Sequence, residues 1–240
     1  YSEGTVPLVT RDGPGGKLKY YADNSTQVCA NYLSEKISEL MNKFYSTGIA
    51  LSRKEIVAND KVHRTWMNPL ESQLPYAPEL KIYCMHGIGK GTERGYMYAE
   101  RKDLVNLDMV IDTDATDPFS GDLHKGVFRC EGDGTVPLLS LGYMGLKGWR
   151  QYKHLNPSKI PVVVREYKDD VTNLRVTDVR GGPRSGDHVD ILGNHELTMD
   201  LLRIVTNFPE DDAPAGLVLN DLLVSNIGEI CQKIDIPYTD

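Results

Sequence analysis

"IPVVVREY", residues 160–167, is the stretch on which the fold turns. Its β-branched residues and its proline near the start make it the clearest strand in the chain. A second short apolar run, "LKIYCMHG" (Leu80 to Gly87), ends in glycine and reads as another buried strand. Downstream, "GNHELTMDLLRIVTNF" carries Leu197, Leu201, Ile204, Val205 and Phe208 at i, i+4, i+7, i+8 and i+11. That spacing predicts a helix with one apolar stripe packed on the core, and Asn194 is placed to cap it. Strands alternating with helices of this kind predict an α/β fold.

Between the two strands lies "CEGDGTVPLL", residues 130–139. Gly132 and Gly134 bracket one carboxylate, Asp133. Glycine and aspartate dominate turns for simple backbone reasons, so a surface turn is one reading of the motif. The order of elements supplies another: strand, long excursion, acid in a Gly-Asp-Gly loop, strand, loop, His188, helix. In doubly wound sheets, active sites collect at the carboxyl ends of strands. In the α/β-hydrolase arrangement the catalytic residues run serine, acid, histidine along the chain. Asp133 and His188 fit the last two places. A fixed carboxylate would hold the imidazole in one tautomer and stabilise the imidazolium formed when it takes a nucleophile's proton. Taken alone, His188 could equally be a helix-approach residue bonded to backbone.

The rest of the chain bounds these readings. It has 240 residues, 40% hydrophobic and 25% charged, enough for one sizeable core or two small ones. Net charge is −7 with scattered lysines and arginines, which argues against a nucleic-acid partner. No apolar run approaches the roughly 18 residues of a membrane span, and no basic-then-apolar leader is visible. The chain begins with Tyr1 rather than Met, so a processed product or fragment is expected. Cys29, Cys84, Cys130 and Cys231 are far apart with no C-x-x-C, implying neither a zinc site nor a disulfide framework. "DTDATD" (Asp112 to Asp117) lacks EF-hand spacing and reads as a solvated acidic turn; His188 and His195, seven apart, make a weak metal pair. No cofactor is expected. His63, His86, His124, His154 and His195 read as surface or loop groups. The Asn24-Ser25-Thr26 sequon is of a kind common by chance, as is the recurrence of "GTVPL" at Gly4 and Gly134.

Elsewhere, residues 1–24 read as loop, and 25–47 as an amphipathic helix packed through Leu33, Ile37, Leu40, Met41 and Phe44. Residues 52–79 read as an irregular connection, and 88–131 as a polar insertion with little regular structure. The segment from Pro209 has no assigned role.

Three longer motifs carry a family resemblance. "WMNPLESQLPYAPELKIYCMHGIGKGTERGYMY" (Trp66 to Tyr98), "GDGTVPLLSLGYM" (Gly132 to Met144) with "KGW" (Lys147 to Trp149), and "SGDHVDILGN" (Ser185 to Asn194) resemble the phospholipid:diacylglycerol acyltransferases. These belong to the lecithin:cholesterol acyltransferase-like group of α/β-hydrolases. The resemblance covers roughly residues 50–207. It implies that the chain is the C-terminal part of one such catalytic domain. Residues 25–79 would be a cap or insertion, 80–207 the late strands with acid and histidine loops, and 208–240 a tail. It places the catalytic acid on Asp133 and the catalytic histidine on His188.

The family's serine sits in a G-x-S-x-G elbow, which this chain lacks; Ser46, Ser52, Ser120 and Ser185 have no such glycine pattern. The resemblance therefore puts the nucleophile and oxyanion donors outside the chain and implies that these residues alone are inactive. Relatives often carry a cysteine just after the Gly-Tyr-Met run, where this chain has Gly145, so their disulfide is in doubt here. The implied activity moves an acyl group from a phospholipid to diacylglycerol, at an endoplasmic reticulum membrane reached through the parent protein. A phospholipase or lipase of the same fold, or a non-catalytic lipid- or partner-binding module, are the rival readings.

Overall fold

The computed structural model describes residues 9–13, 16–20, 35–46, 48–100, 109–119, 121–172, 177–178 and 181–239. Cys29, Leu33, Ser120, the Asn24 sequon and the first "GTVPL" lie outside them. In chain order the elements are β1 (Val9–Gly13), β2 (Gly16–Tyr20), α1 (Glu35–Phe44), α2 (Arg53–Asn59), β3 (Ile82–Ile88) and β4 (Lys90–Glu100). There follow β5 (Met109–Ile111), β6 (Leu123–His124), β7 (Val127–Gly132), α3 (Leu138–Tyr143), a π turn over Met144–Gly148 and α4 (Trp149–Gln151). The last are β8 (Val162–Lys168), α5 (His195–Thr206) and α6 (Ile227–Lys233). The chain mixes helices with sheets, consistent with the α/β class. The chain divides into two compact units, residues 1–40 with 91–130 and residues 41–90 with 131–240.

The second unit is organised on β3 and β8, the two strands legible in the sequence. They pair in parallel, Ile82 opposite Val162 through Ile88 opposite Lys168. The other edge of β8 bonds to Leu222, whose N–H donates to the Val164 carbonyl while Glu166 N–H donates to its carbonyl, both 2.9 Å. One face of β8 packs Val163 on Val218 and Leu219, and Tyr167 on Ile191 and Leu197. On the opposite face Val164 lies against Gly145 of the π turn. A strand covered on both faces needs apolar side chains in both directions, which is why its sequence is a continuous run rather than an alternation. A further cluster joins Ile88, Leu138, Tyr143, Ile227, Cys231 and Ile236.

Within that run, Arg165 and Glu166 are buried and must be paired. Glu166 accepts hydrogen bonds from Val224 N–H (2.6 Å), Ser225 N–H (2.7 Å) and Ser225 Oγ (2.6 Å). Arg165 lies 2.9 Å from Asp200 and 3.1 Å from Glu210. Arg150 is bidentate to Asp221, both contacts 2.7 Å. The segment after Pro209, which had no assigned role, is thus the cover of β8, locked by charge to its buried edge.

The first unit holds a six-stranded sheet, ordered β2-β1-β4-β7-β6 with β5 also on β4. β1 is antiparallel to β2 and parallel to β4, and β4–β5 and β6–β7 are antiparallel. Two expectations are corrected here. The described residues of 88–131 are largely strand rather than irregular, and Val9–Gly13 and Gly16–Tyr20 are paired antiparallel strands rather than loop. Antiparallel sheets can leave one face to water, so polar residues do not argue against a strand. Arg129 and Glu93, 2.9 Å apart and each nearly half exposed, are such a cross-strand pair.

The helices need correction too. α1 forms, but among its described residues none is buried, and Ile37, Leu40 and Phe44 are about half exposed. Residues 52–79 are not wholly irregular: Ser52 Oγ accepts from Glu55 N–H and starts α2. α5 is capped by Asn194 as expected, its Oδ1 accepting from Leu197 N–H at 3.2 Å. Its buried face, however, is Leu197 and Asp200 with Ile204 packed beside them, while Leu201, Val205 and Phe208 stay exposed. Asp200 is drawn inward because Tyr167 Oη donates to it at 2.8 Å and Arg165 pairs with it. Charge pairing, not apolar spacing, set the helix's rotation.

Candidate active site

Asp133 follows β7 in a turn that the aspartate itself holds shut. Its Oδ1 accepts from Thr135 N–H (2.9 Å) and Val136 N–H (2.7 Å), and its own N–H donates to the Val136 carbonyl. Gly134 sits at φ +92°, a conformation that a side chain would strain. With Oδ1 occupied by the turn, Oδ2 is left to point outward.

His188 comes from the loop between β8 and α5. Gly186 N–H donates to Asp169 Oδ1 (2.8 Å), and Asn194 Nδ2 donates to the Ser185 carbonyl (3.0 Å). Gly186 rests on the ends of β3 and β8 so closely that a Cβ would lie 2.6 Å from the Tyr167 carbonyl oxygen and 2.9 Å from that of Ile88. A Cβ on Gly87 would in turn stand 1.9 Å from the Gly186 carbonyl oxygen. Two glycines therefore permit the histidine loop to cross the carboxyl ends of the parallel strands, where such sheets place their sites.

The two loops meet twice. His188 N–H donates to the Asp133 carbonyl at 2.9 Å, and His188 Nδ1 lies 2.7 Å from Asp133 Oδ2. With the carboxylate as acceptor, Nδ1 carries the proton and donates it. The acid side chain is 4% exposed and the imidazole 43%. Burial pushes the Asp133 carboxyl up, but the hydrogen bonds from Val136 N–H, His188 and Thr135 N–H outweigh it and hold it below the usual carboxylate range. Nε2 makes no hydrogen bond among the described residues and is free to accept a proton from an incoming hydroxyl. A buried ionised acid behind a half-open imidazole is an arrangement for general-base catalysis.

Three residues near the pair were not picked out from sequence. His86 is buried on β3 rather than at the surface, 7% exposed, with its Nε2 unpartnered. Lys90 Nζ lies 3.0 Å from Asp187 Oδ2, beside His188. Glu166 anchors the 224–225 backbone, as above. The signal for Glu166 was a charged pair inside an apolar strand; that for His86 was a polar residue in the other buried strand. Ser185 is buried, with Oγ directed to Asp169 at 3.4 Å and accepting from Asp187 N–H. Among the described residues no group of histidine, cysteine and carboxylate side chains could hold a metal ion. Asp112 and Asp117 instead accept backbone N–H groups of their own turn, at 3.2 and 2.8 Å.

Fold and site together define a chain of the α/β class whose acid and histidine meet beyond the ends of parallel strands. The family model for lecithin:cholesterol acyltransferase matches residues 17–195, and the chain belongs to that family. It is 35% identical over 236 residues to the phospholipid:diacylglycerol acyltransferase of Schizosaccharomyces pombe, covering 98% of this chain and 35% of that protein. It is 37% identical over 174 residues to the Saccharomyces cerevisiae protein of that name, covering 72% and 24% respectively. Against phospholipid:diacylglycerol acyltransferase 1 of Arabidopsis thaliana the identity is 33% over 222 residues, 92% of this chain and 32% of that one. The chain thus spans between a quarter and about a third of the length of these relatives.

Proposed function

We propose that the protein is an O-acyltransferase that moves a fatty acyl group from a phospholipid to diacylglycerol, giving triacylglycerol and a lysophospholipid. Asp133 is the acid and His188 the base of its catalytic triad, and the serine lies outside these 240 residues. The observation that carries the reading is the 2.7 Å contact between His188 Nδ1 and Asp133 Oδ2, with Nε2 left open, in a chain of this family. The names of the relatives support the substrate pair. The same reading makes the whole chain the C-terminal part of one catalytic domain. It acts at a membrane surface, in the endoplasmic reticulum.

The steps follow from the pair. His188 Nε2 takes the serine proton as the oxygen attacks the phospholipid ester, and Asp133 stabilises the imidazolium. The proton passes to the departing lysophospholipid oxygen, leaving an acyl-enzyme. His188 then deprotonates the diacylglycerol hydroxyl, which takes the acyl group, and the proton returns to serine. The test is an assay of the protein as the cell makes it, in phospholipid vesicles with and without diacylglycerol. Triacylglycerol formed with equal lysophospholipid is the expected result. Free fatty acid in both arms would make it a phospholipase, and no turnover of either kind would leave a lipid-binding module.

A further inference from the structure

Asp133 and His188 account for the chemistry, but not for how a half-exposed histidine is kept at a fixed distance from a buried acid. His188 has Asp187 on one side and Val189 on the other. Asp187 Oδ1 accepts from Val189 N–H at 3.2 Å, and its carbonyl accepts from Ile191 N–H at 2.9 Å. Its other carboxylate oxygen, Oδ2, lies 3.0 Å from Lys90 Nζ. Lys90 belongs to a different segment, where β3 turns into β4, and its backbone is bridged to that of Asp133. Between the two lies Gly134: a Cβ there would be 3.5 Å from Asp187 Oδ2 and 3.7 Å from Cδ and Cε of Lys90. The ion pair therefore passes over the acid turn and ties the residue before His188 to the residue beside Asp133.

We propose that Lys90 is a positioning residue for the Asp133–His188 pair, acting through Asp187. The inference rests on that pair being catalytic. Lys90 touches neither reacting atom; it pins the histidine loop to the acid turn. The ends of the pair are 35% and 31% exposed, and pairs so placed add little to global stability. A loop displaced by a fraction of an ångström nevertheless loses rate, because a misplacement of about 1 Å at a reacting group can cost some 10²-fold. The signature of such a pin is a change in kcat without a matching change in stability or KM. Asp187, Asp169 and Asp190 all favour the charged lysine, so the pin is present throughout the neutral range.

The experiment uses the protein as the cell makes it, assayed for acyl transfer and for the low-field Nδ1 proton of His188 by NMR. Lys90→Met keeps the methylene stem and removes the charge. It is expected to lower kcat about two- to fivefold, near the measured size of exposed pairs, with KM and Tm little changed. Lys90→Arg should restore most of the rate. Asp187→Asn should match Lys90→Met, and the double variant should be no worse than either single one. Salt should slow the wild type towards the Lys90→Met rate and leave that variant unmoved, because exposed charges are screened. In the NMR arm the His188 Nδ1 proton should exchange faster in Lys90→Met, and this holds whichever acyl chemistry the protein performs. Wild-type kcat in Lys90→Met, additive losses in the double variant, or an unchanged His188 proton would each overturn the proposal.

Discussion

The parallel pair β3–β8 and the six-stranded sheet of the other unit obey different rules, and only one of them writes itself plainly into sequence. β8 is covered on both faces and at its Leu222 edge, so nearly every position must be apolar or paired. The six-stranded sheet carries an exposed Arg129–Glu93 pair, and several of its strands pair with a neighbour in the chain, β1 with β2, β4 with β5 and β6 with β7. Burial on two faces restricts residue types; a wet antiparallel face scarcely does. The region that restricts its sequence also holds the site, and single atoms should matter more there.

The largest expected effect is at Asp133. Asp133→Asn removes the charge that holds the imidazole tautomer while keeping the turn acceptor, so the fold should survive. Turnover should fall by about 10⁴-fold, as when the acid of a serine-protease triad is made an amide. His188→Ala should do at least as much damage. The measurement is acyl transfer together with a thermal melt, and near-wild-type transfer by Asp133→Asn would reduce the Gly-Asp-Gly loop to a turn.

The meeting of Asp133 and His188 was legible because a turn motif, a strand and a histidine loop stood in a diagnostic order. What could not be read was the charge pairing around it. Asp200 lies within an apolar helix and was passed over, yet its bonds to Tyr167 and Arg165 rotate α5 away from its expected stripe. Lys90 and Asp187 sit 97 residues apart in the numbering, and nothing local joins them. The strands of the six-stranded sheet failed for another reason, since a face left to water accepts polar residues such as Arg129 and Glu93. Local pattern recorded burial; long-range charge left no mark.

One substitution made in both regions would break or sharpen the contrast. Gly87→Ala puts a Cβ 1.9 Å from a backbone oxygen that is itself wedged against two strand ends. No side chain can yield, so a loss of at least about 3 kcal/mol is expected, with His188 driven from Asp133. Gly91→Ala in β4 meets only Arg129 Cδ, at 3.9 Å. Its effect should stay within about 0.5 kcal/mol. Denaturant midpoints decide it, and equal losses would mean that the two regions are equally constrained.

A smaller effect is expected where the doubly covered strands admit a new bond. Cys84 is a free thiol on β3, and a Cβ on Gly145 would stand 3.4 Å from its Cβ and 3.2 Å from its Sγ. That is close to the separation across a disulfide, so Gly145→Cys should oxidise with Cys84. The same Cβ would lie 2.7 Å from Val164 Cγ2, and that methyl must turn aside. The oxidised form should exceed its own reduced form by about 2 kcal/mol, the lower part of the usual range. Thiol labelling read by mass spectrometry checks it; label on both Cys84 and the introduced cysteine after oxidation would show that the strand pair cannot yield there.

The smallest effect is a pH dependence, and it comes from the burial that made β3 readable. Burial pushes the His86 imidazole down, opposed by Glu166, the Gly87 carbonyl and Asp133, and the downward pull wins. A histidine whose folded value is depressed is neutral in both states at high pH and contributes nothing there. As pH falls through the unfolded value near ~6.5, the unfolded chain takes up the proton first, so stability declines towards lower pH. His86→Gln cannot titrate and should flatten that decline between about pH 7 and pH 5 while leaving the Asp133 contribution below about pH 4 in place. Denaturant titrations across the range measure it. An unchanged slope in His86→Gln would mean that the buried imidazole takes its proton without resistance, and that the strand is wetter than its sequence implies.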